Sequence, residues 1–299
     1  MIERLNLAIQ IICAPSILGL KPSGVELLPE SLLNSGLSNL VDSKNPIIEL
    51  PAPNHLYSNE RDPEANCLNP LLIRDYSIEL GNAIDRINKD QFALVLGGDC
   101  SILIGIMQAL KGKGKSGLIF LDAHADFYEP EKSVTGEVAD MDLAIVTGRG
   151  PDVLTNINNR RPYVDDELVI HIGQRDWEET KKYGSQDIRE TKIKCFSLEE
   201  IRSGGINKTV KAILTHIKNM DTDGFWIHFD TDVLSDDINP AVDYRLPGGL
   251  KLEEVEELLK SVIRKGKLFG LSVSIFNPKL DKNGHSSKSL AHLIGQSLT

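Results

Sequence analysis

Gly117-Leu-Ile-Phe-Leu-Asp-Ala-His-Ala-Asp126 is an apolar run that ends in three possible metal ligands, Asp122, His124 and Asp126. The same form, an apolar run followed by polar residues, recurs in Phe92-Ala-Leu-Val-Leu-Gly-Gly-Asp-Cys-Ser101 and Gly224-Phe-Trp-Ile-His-Phe-Asp-Thr-Asp232. Short apolar runs that stop at glycine or polar residues are typical of buried strands. In a parallel sheet covered by helices, ligands bind where the strands end. We therefore expect a site at the carboxyl edge of such a sheet.

The rest of the chain alternates strand and helix patterns, which favours an α/β fold with a parallel sheet. Helical periodicity is found at 71–88, 101–110, 207–219 and 251–264. Met1–Cys13 is predicted to contain the first strand rather than a secretory signal. Residues 41–70 form a long connection, expected to fold over an edge or contact a neighbouring subunit. No repeat or linker divides the sequence, so we predict one domain over residues 1–299.

Two of the polar segments have the spacing of ligands on an extended chain. Because side chains alternate along a strand, ligands two residues apart share one side. This spacing holds for Asp122, His124 and Asp126, and for His228, Asp230 and Asp232. Carboxylates gathered this closely need a compensating cation, because like charges in contact cost several kcal/mol. The pattern predicts a metal site with a pair of ions.

The composition is that of a globular protein with a negative charge. The 299 residues are 41% hydrophobic and 25% charged, and the formal net charge is −10. An acidic balance without a basic stripe argues against binding to nucleic acids or anionic membranes. No apolar run approaches the roughly 20 residues that a spanning helix needs.

The cysteines are scattered without paired spacing, which argues against a disulfide framework. They are Cys13, Cys67, Cys100 and Cys195. A reducing compartment fits this usage, and we expect a cytoplasmic location.

Several motifs in order along the chain resemble the arginase, agmatinase and formimidoylglutamase family, also called ureohydrolases. They are Ala14-Pro-Ser16, Gly97–Ser101, Asp122–Asp126, Asp230–Asp232, Pro247-Gly-Gly-Leu250 and Asn277-Pro278. The resemblance implies a three-layer αβα fold, with a mainly parallel sheet of about eight strands and helices on both faces. It also implies hydrolysis of a carbon–nitrogen bond in a small guanidino or amidino compound, and a trimer or hexamer of identical chains.

The resemblance implies two divalent ions, manganese in the family, held by residues of the three segments. One ion would be held by Cys100, Asp122, Asp126 and Asp230, and the other by Asp122, His124, Asp230 and Asp232. The family has His where this chain has Cys100. A thiolate is a softer ligand than imidazole, which favours zinc, nickel or iron over manganese. The alternative for Cys100 is a small buried side chain at a helix start.

The proton-transfer residue of the family has no counterpart here. Where arginases have a His that serves the leaving amine, this chain has Ala139, and a methyl group cannot carry a proton. His228, Glu137 and Asp140 are the candidates to replace it, and Asp126 is the candidate to orient the attacking water. The alternative for His228 is a packed, hydrogen-bonded strand histidine.

The substrate-binding residues also depart from the family pattern. Ile275 stands where the family has a Glu that pairs with the guanidinium, and losing such a buried pair costs several kcal/mol of binding. Thr135 matches the family's substrate-binding Ser, and Glu178 matches an acid that meets an ammonium group. Arg149 and Arg175 are loop cations that could meet a substrate carboxylate.

Two other functions remain open for this sequence. Ala139 and Ile275 suit a relative that has lost catalysis and acts by binding or assembly. A deacetylase-like amide hydrolase is the other alternative, with a single ion held by two Asp and one His and without Cys100 as a ligand, since a fold does not decide chemistry.

Overall fold

Eight strands form the frame of the molecule. The computed structural model describes residues 8–54, 57–88 and 90–299. The strands are β1 (Ala8–Ala14), β2 (Ile48–Glu49), β3 (Gln91–Gly97), β4 (Ser116–Leu121), β5 (Val169–Ile172), β6 (Lys194–Phe196), β7 (Gly224–Asp230) and β8 (Leu268–Ser274). The three apolar runs predicted as strands are confirmed as β3, β4 and β7. The predicted first strand is confirmed as β1, while residues 1–7 of that prediction lie outside the described residues.

The sheet is parallel throughout, with the strand order β2-β1-β3-β8-β7-β4-β5-β6. Two late strands, β7 and β8, lie between the earlier strands β3 and β4. In register, Leu96 of β3 is opposite Val273 of β8, and Leu121 of β4 is opposite Phe229 of β7. The carboxyl ends of these four strands are therefore neighbours at one edge, as predicted for the site.

Helices connect the strands. They are α1 (Leu28–Asn34), α2 (Leu37–Leu40), α3 (Pro70–Asp85), α4 (Ile102–Lys113), α5 (Asp142–Val146), α6 (Asp152–Thr155), α7 (Trp177–Tyr183), α8 (Leu198–Gly204), α9 (Ile206–Asn219), α10 (Leu252–Lys265) and α11 (His285–Leu298). The four segments with helical periodicity are confirmed as α3, α4, α9 and α10, with ends that differ by a few residues.

The helices cover both faces of the sheet. Apolar residues of α1, α9, α10 and α11 pack against one face, and those of α3, α4, α5 and α6 pack against the other. Side chains along β3 alternate between the two faces. Leu94 and Leu96 pack under α1, α9, α10 and α11, whereas Ala93 and Val95 pack under α3 to α6. The three-layer αβα architecture is confirmed.

One face of β7 and β8 carries polar side chains instead of apolar ones. On the side covered by α3 to α6, the strands present Trp226, His228, Asp230, Ser272 and Ser274, all of them buried. Trp226 Nε1 donates to Ser272 Oγ at 2.9 Å, and Ser272 Oγ lies 2.8 Å from His228 Nδ1. We refer to these five residues as the polar column. It leads from the middle of the sheet to the carboxyl edge.

The connection over residues 41–70 folds over an edge of the sheet. Within it, β2 pairs with β1 and forms the edge strand. Arg61 donates to the carbonyl oxygens of Pro130 at 3.0 Å and Ser133 at 2.7 Å, which joins the connection to the loop after β4. His55 and Leu56 lie outside the described residues. Within the described part of the chain, no helix is both long and apolar enough to cross a membrane.

Candidate metal centre

The predicted metal ligands lie together at the carboxyl edge of the sheet. Donor atoms of Cys100, Asp122 and Asp230 are all within 4.8 Å of one another, and so are those of Asp122, His124 and Asp126. Cys100 follows β3, the next three ligands follow β4, and Asp230 ends β7. The structure therefore brings the predicted segments together, and their role as ligands stays a prediction.

The segment after β4 reaches the site as a loop and not as a continued strand. The strand ends before this segment, and Asp126 has a φ of 46°. The three ligands lie together as expected, but the loop and not strand alternation brings them together. Backbone groups hold the loop instead, since His124 N donates to Asp122 Oδ1 at 2.6 Å and Ala123 N donates to Asp232 Oδ1 at 3.1 Å. The other oxygen of Asp232 lies 2.8 Å from His124 Nδ1, so the sixth predicted ligand joins the group.

Burial, and next the repulsion between neighbouring carboxylates, raises most of the pKa values of the ligand group. Burial, and next the charge of Asp232, raise the pKa of Asp122 to about 7. Burial and neighbouring carboxylates hold the pKa of Asp126 and of Asp230 well above the usual range. Burial opposes the ionisation of Asp232 as well, but the charge of His124 leads the interactions that lower its pKa. Asp122 Oδ2 has no hydrogen-bond partner among the described residues. Such a donor set fits a divalent cation.

Cys100 is fully buried among polar groups. Its Sγ–H donates to Asp230 Oδ2 at 2.9 Å, and Sγ lies 3.0 Å from Ser274 Oγ and 3.3 Å from His228 Nε2. Burial raises the pKa of the thiol well above its usual value. A cation at Sγ would oppose this effect, because metal ions bind the thiolate. A cysteine that only fills space in the core does not require three polar partners at its sulfur atom.

His228 lies on the polar column beside Cys100 and away from solvent. It is fully buried and stacks on Phe120, with the ring centroids 5.1 Å apart. Burial lowers the pKa of its imidazole to about 3. The position matches the packed strand histidine described as the alternative. It gives no support to direct proton exchange between His228 and a substrate.

A cavity of about 270 Å³ has His124, Asp126 and Asp230 in its wall. Its acidic lining residues are Asp126, Glu137, Asp140, Asp176, Glu179, Asp230 and Asp243. Arg245 also lines the cavity, but its guanidinium is paired with Asp236. A cleft lined by one sign of charge attracts ligands of the opposite sign. The cavity therefore suits a cationic small molecule.

Ala139, which stands in place of the family His, lies in the cavity wall beside two acids. The carboxylate of Glu137 has both oxygens engaged, because Oε2 accepts from Tyr244 Oη at 2.6 Å and Oε1 accepts from Lys21 N at 3.1 Å. Glu137 therefore holds the loop in place.

Asp140, in the same wall, has one buried carboxylate oxygen without a partner among the described residues. Its Oδ2 accepts from Ser133 Oγ at 2.8 Å and from Thr135 Oγ1 at 3.2 Å, while Oδ1 has no partner among the described residues. Burial raises the pKa of this carboxyl to about 7, although both hydroxyls lower it.

Two of the three predicted substrate-binding residues line the cavity. Thr135 and Ile275 are both in its wall. Glu178 is exposed and lines a separate hollow with Trp177 and Arg189, so the structure does not bring it to the cavity. The next residue of α7, Glu179, lines the cavity instead, as does Asp176 just before the helix.

The two loop arginines are engaged elsewhere. Arg149 forms two hydrogen bonds with Asp166, at 2.8 and 2.6 Å, and Arg175 donates to the carbonyl oxygen of Asp232 at 2.9 Å. Neither residue lines the cavity. Arg175 instead supports the backbone that carries a predicted ligand.

Ile275 has a backbone conformation that β-branched residues rarely adopt. It follows the end of β8 with a φ of 70°, and its N–H donates to Gly98 O at 2.8 Å. A residue held in this region costs about 1–3 kcal/mol, and such residues cluster at functional sites. The hydrogen bond to Gly98 O connects Ile275, in the cavity wall, to the turn that carries Cys100.

The sequence interpretation missed Asp142, the first residue of α5. Asp142 is fully buried, and neither carboxylate oxygen has a hydrogen-bond partner among the described residues. An acid at the start of a helix is usually a surface residue that interacts favourably with the helix dipole, so the sequence did not distinguish Asp142 from such a residue. The signal available was an acid every two or three residues, at Glu137, Asp140 and Asp142, between strongly apolar neighbours.

The comparisons with known proteins agree with this geometry. The sequence model of the Arginase family matches residues 23–299. The arginase of Staphylococcus aureus strain COL is 30% identical over 296 residues, which covers 96% of each chain. The structure of the Bacillus caldovelox arginase superposes with a TM-score of 0.85 at 27% identity over 98% of each chain. The formimidoylglutamase of Bacillus subtilis shares the fold, with a TM-score of 0.73 at 19% identity over 100% of this chain and 88% of its own. On the match of sequence and fold along nearly its whole length, the chain belongs to the arginase family.

Proposed function

We propose that the protein is a metal-dependent hydrolase of a non-peptide carbon–nitrogen bond in a small guanidino or amidino compound. The observation that supports it is the convergence of six metal-ligand side chains beside an acidic cavity, in a member of the arginase family. Two divalent ions would be held by Cys100, Asp122, His124, Asp126, Asp230 and Asp232. When bound, such ions lower the pKa of water and polarise the group that is attacked.

The residues of the chain supply position and hydrogen bonds for this chemistry. Asp126 belongs both to the ligand group and to the cavity wall, so its carboxylate can accept a hydrogen bond from the attacking water. Asp122 belongs to both groups of donor atoms, and Asp122 and Asp230 would hold both ions. Manganese follows from the family, whereas the thiolate of Cys100 favours zinc, nickel or iron.

The walls favour a substrate with two cationic ends. Ile275 leaves no carboxylate at its position for the reacting group, so the binding energy must come from elsewhere. Glu179 and Asp243 supply it by attracting a second positive charge, whereas both oxygens of Asp176 already accept hydrogen bonds from Ala125 N and Gln174 Nε2. A substrate carboxylate would meet the same acids and would be repelled. We therefore propose a guanidino or amidino compound that carries an amine and lacks a carboxylate.

A matched substrate pair tests this function. The metal-free protein is loaded separately with manganese, zinc, nickel or iron, and release of urea or amine is measured with a panel of guanidines and amidines. Agmatine and arginine differ only in the carboxylate. We expect kcat/KM to be about tenfold or more higher for the compound without it, because contact between like charges near a protein surface costs up to about 4 kcal/mol and about 1.4 kcal/mol is a factor of ten.

The other outcomes of this assay have defined meanings. No carbon–nitrogen hydrolysis with any ion would favour a relative that acts by binding or assembly. Hydrolysis of acetylated amines alone, unchanged in Cys100→Ala, would favour the deacetylase-like alternative. A preference for arginine would contradict the proposed substrate class.

Asp140 is the proposed proton donor to the leaving amine. Its Oδ1, without a partner among the described residues, contrasts with the fully engaged carboxylate of Glu137, and both side chains line the cavity. We expect Asp140→Asn to lower kcat about 10²-fold or more, the usual effect of losing a general acid, with little change in KM. Glu137→Gln is the matched variant and should lower kcat less. Equal kcat values for Asp140→Asn and the wild type would remove Asp140 from this role.

The remaining proposals concern the whole chain. We propose one domain over residues 1–299, a homo-oligomer such as a trimer or hexamer, and a cytoplasmic location. The continuous sheet and the family match support the first, and the scattered cysteines support the last.

A further inference from the structure

Three side chains outside the polar wall of the cavity form a compact group of metal-binding type. One donor atom each of Cys100, Asp142 and His228 lies within 4.8 Å of the other two, and all three residues are fully buried. Sulfur, imidazole nitrogen and carboxylate oxygen are the donors that zinc prefers. Neither Asp142 nor His228 belongs to the ligand set that the family implies.

Asp142 is buried beside the carboxyl of Asp126, where two acids without a cation between them would repel each other. Both of its oxygens lack a hydrogen-bond partner among the described residues, although the side chain is fully buried. A buried carboxylate without a partner costs several kcal/mol unless a cation or a donor satisfies it. The thiol of Cys100 and the imidazole of His228 lie close to this carboxylate. One cation bound by all three groups would therefore compensate it.

The polar column sets His228 in the orientation of a ligand. Ser272 Oγ accepts from Trp226 Nε1 at 2.9 Å and can donate to Ile227 O at 3.4 Å. With that proton placed on the carbonyl, His228 Nδ1–H donates to Ser272 Oγ at 2.8 Å. The lone pair of Nε2 then points to Cys100 Sγ, 3.3 Å away. A hydrogen bond at one ring nitrogen is the usual way in which proteins orient a histidine ligand.

We propose that Cys100, Asp142 and His228 hold a thiophilic divalent cation of the zinc class, on the side of the centre away from the cavity. This deepens the proposed function and rests on it, because it adds Asp142 and His228 to the ligands of the ion nearest Cys100 and leaves His124 and Asp232 to the harder one. When the cation binds, the Cys100 S–H bond breaks, the sulfur–metal bond forms and the proton leaves to water. Ser274 Oγ, 3.0 Å from Sγ, can then donate to the thiolate.

The ligand set predicts which ion each half of the centre selects. A thiolate and an imidazole favour zinc, nickel or cobalt, whereas a set made mostly of carboxylates favours manganese. Protein loaded with an equimolar mixture of zinc and manganese should therefore carry both metals, and Cys100→His should shift the content toward manganese.

Cobalt reports the thiolate ligand directly, without any measurement of turnover. Metal-free protein is titrated with Co²⁺, and the near-ultraviolet thiolate-to-cobalt absorption is followed together with cobalt bound per chain. The band should be lost in Cys100→Ser and kept in Cys195→Ser. We expect Asp142→Asn to weaken the cobalt affinity of this band at least about tenfold. Asp126→Asn should leave the band in place.

Folding and catalysis are checked separately in this design. Asp142→Asn keeps the shape of the side chain and replaces a carboxyl whose ionised form burial disfavours, so the Tm of its metal-free form should equal or exceed that of the wild type. A band that Asp126→Asn abolishes and Asp142→Asn leaves unchanged would overturn the proposal, as would the absence of a Cys100-dependent band in the wild type. A normal band with no hydrolysis of any substrate would instead contradict the proposed function and leave the ligand set supported.

Discussion

Asp122→Asn is expected to remove hydrolytic activity by a factor of about 10³ or more. Asp122 is fully buried with one unpartnered oxygen, and it lies within 4.8 Å of the donor atoms of both ligand groups. Asn can still accept from His124 N through Oδ1, so the loop should keep its shape while the charge is lost. Metal ions supply several kcal/mol of transition-state stabilisation, and each 1.4 kcal/mol is a factor of ten in rate.

Elemental analysis and kcat on the same samples measure this effect. The variant should carry at least one ion per chain fewer than the wild type, with the loss in the ion held by carboxylates. Asp221→Asn is the matched control, because Asp221 forms an exposed ion pair with Lys115 before β7, at the opposite edge of the sheet. Wild-type metal content and activity in Asp122→Asn would contradict the bridging role.

Gly98→Ala is expected to destabilise the protein by about 3 kcal/mol and to lower its metal content. A Cβ at Gly98 would lie 1.7 Å from the carbonyl oxygen of Ser16. The obstacle is backbone, and it cannot swing aside as a long side chain would. Asp99 N donates to that same oxygen at 3.1 Å, and Ser16 Oγ donates to Asp99 Oδ2 at 2.9 Å. Any shift that relieves the clash therefore moves the turn that carries Cys100.

Thermal unfolding and metal analysis of Gly98→Ala measure both effects. For a chain of this size, 3 kcal/mol corresponds to a fall in Tm of roughly 5–10 °C. Gly204→Ala is the control, since its Cβ would meet only Lys208 Cδ, at an ordinary 3.6 Å. A Gly98→Ala protein with the Tm and metal content of the wild type would show that the turn tolerates a side chain.

The architecture could be predicted from local patterns because each element carries its own signal. The runs that became β3, β4 and β7 are apolar on both faces, as strands buried between two helix layers must be. The helix α10 keeps Val255, Leu258 and Val262 on its buried side. Parallel strands then place their carboxyl ends together, so the meeting of Cys100 with Asp230 also followed from the pattern.

The remaining details depend on contacts between distant segments. The course of the loop after β4 is set by Asp232, more than one hundred positions later, which accepts from Ala123 N. The orientation of α7 decides that Glu178 lies outside the cavity. Asp142 resembled a helix-start residue, and only its packing against Cys100 and His228 distinguishes it. Local sequence does not specify which distant residue each of these side chains meets.

The strand order also has a consequence for synthesis of the protein. A ribosome completes β3 and β4 first, and about 100 more residues must follow before β7 emerges, roughly 5–20 s at ordinary elongation rates. During this interval the facing edges of β3 and β4 lack the strands that later pair with them, and open edges invite wrong pairing. Asp230, Ser274 and Ile275 reach their places only when β7 and β8 enter the gap. The proposed ligand set is therefore complete only after the sheet closes, so we expect its full metal affinity to belong to the folded protein and not to the nascent chain.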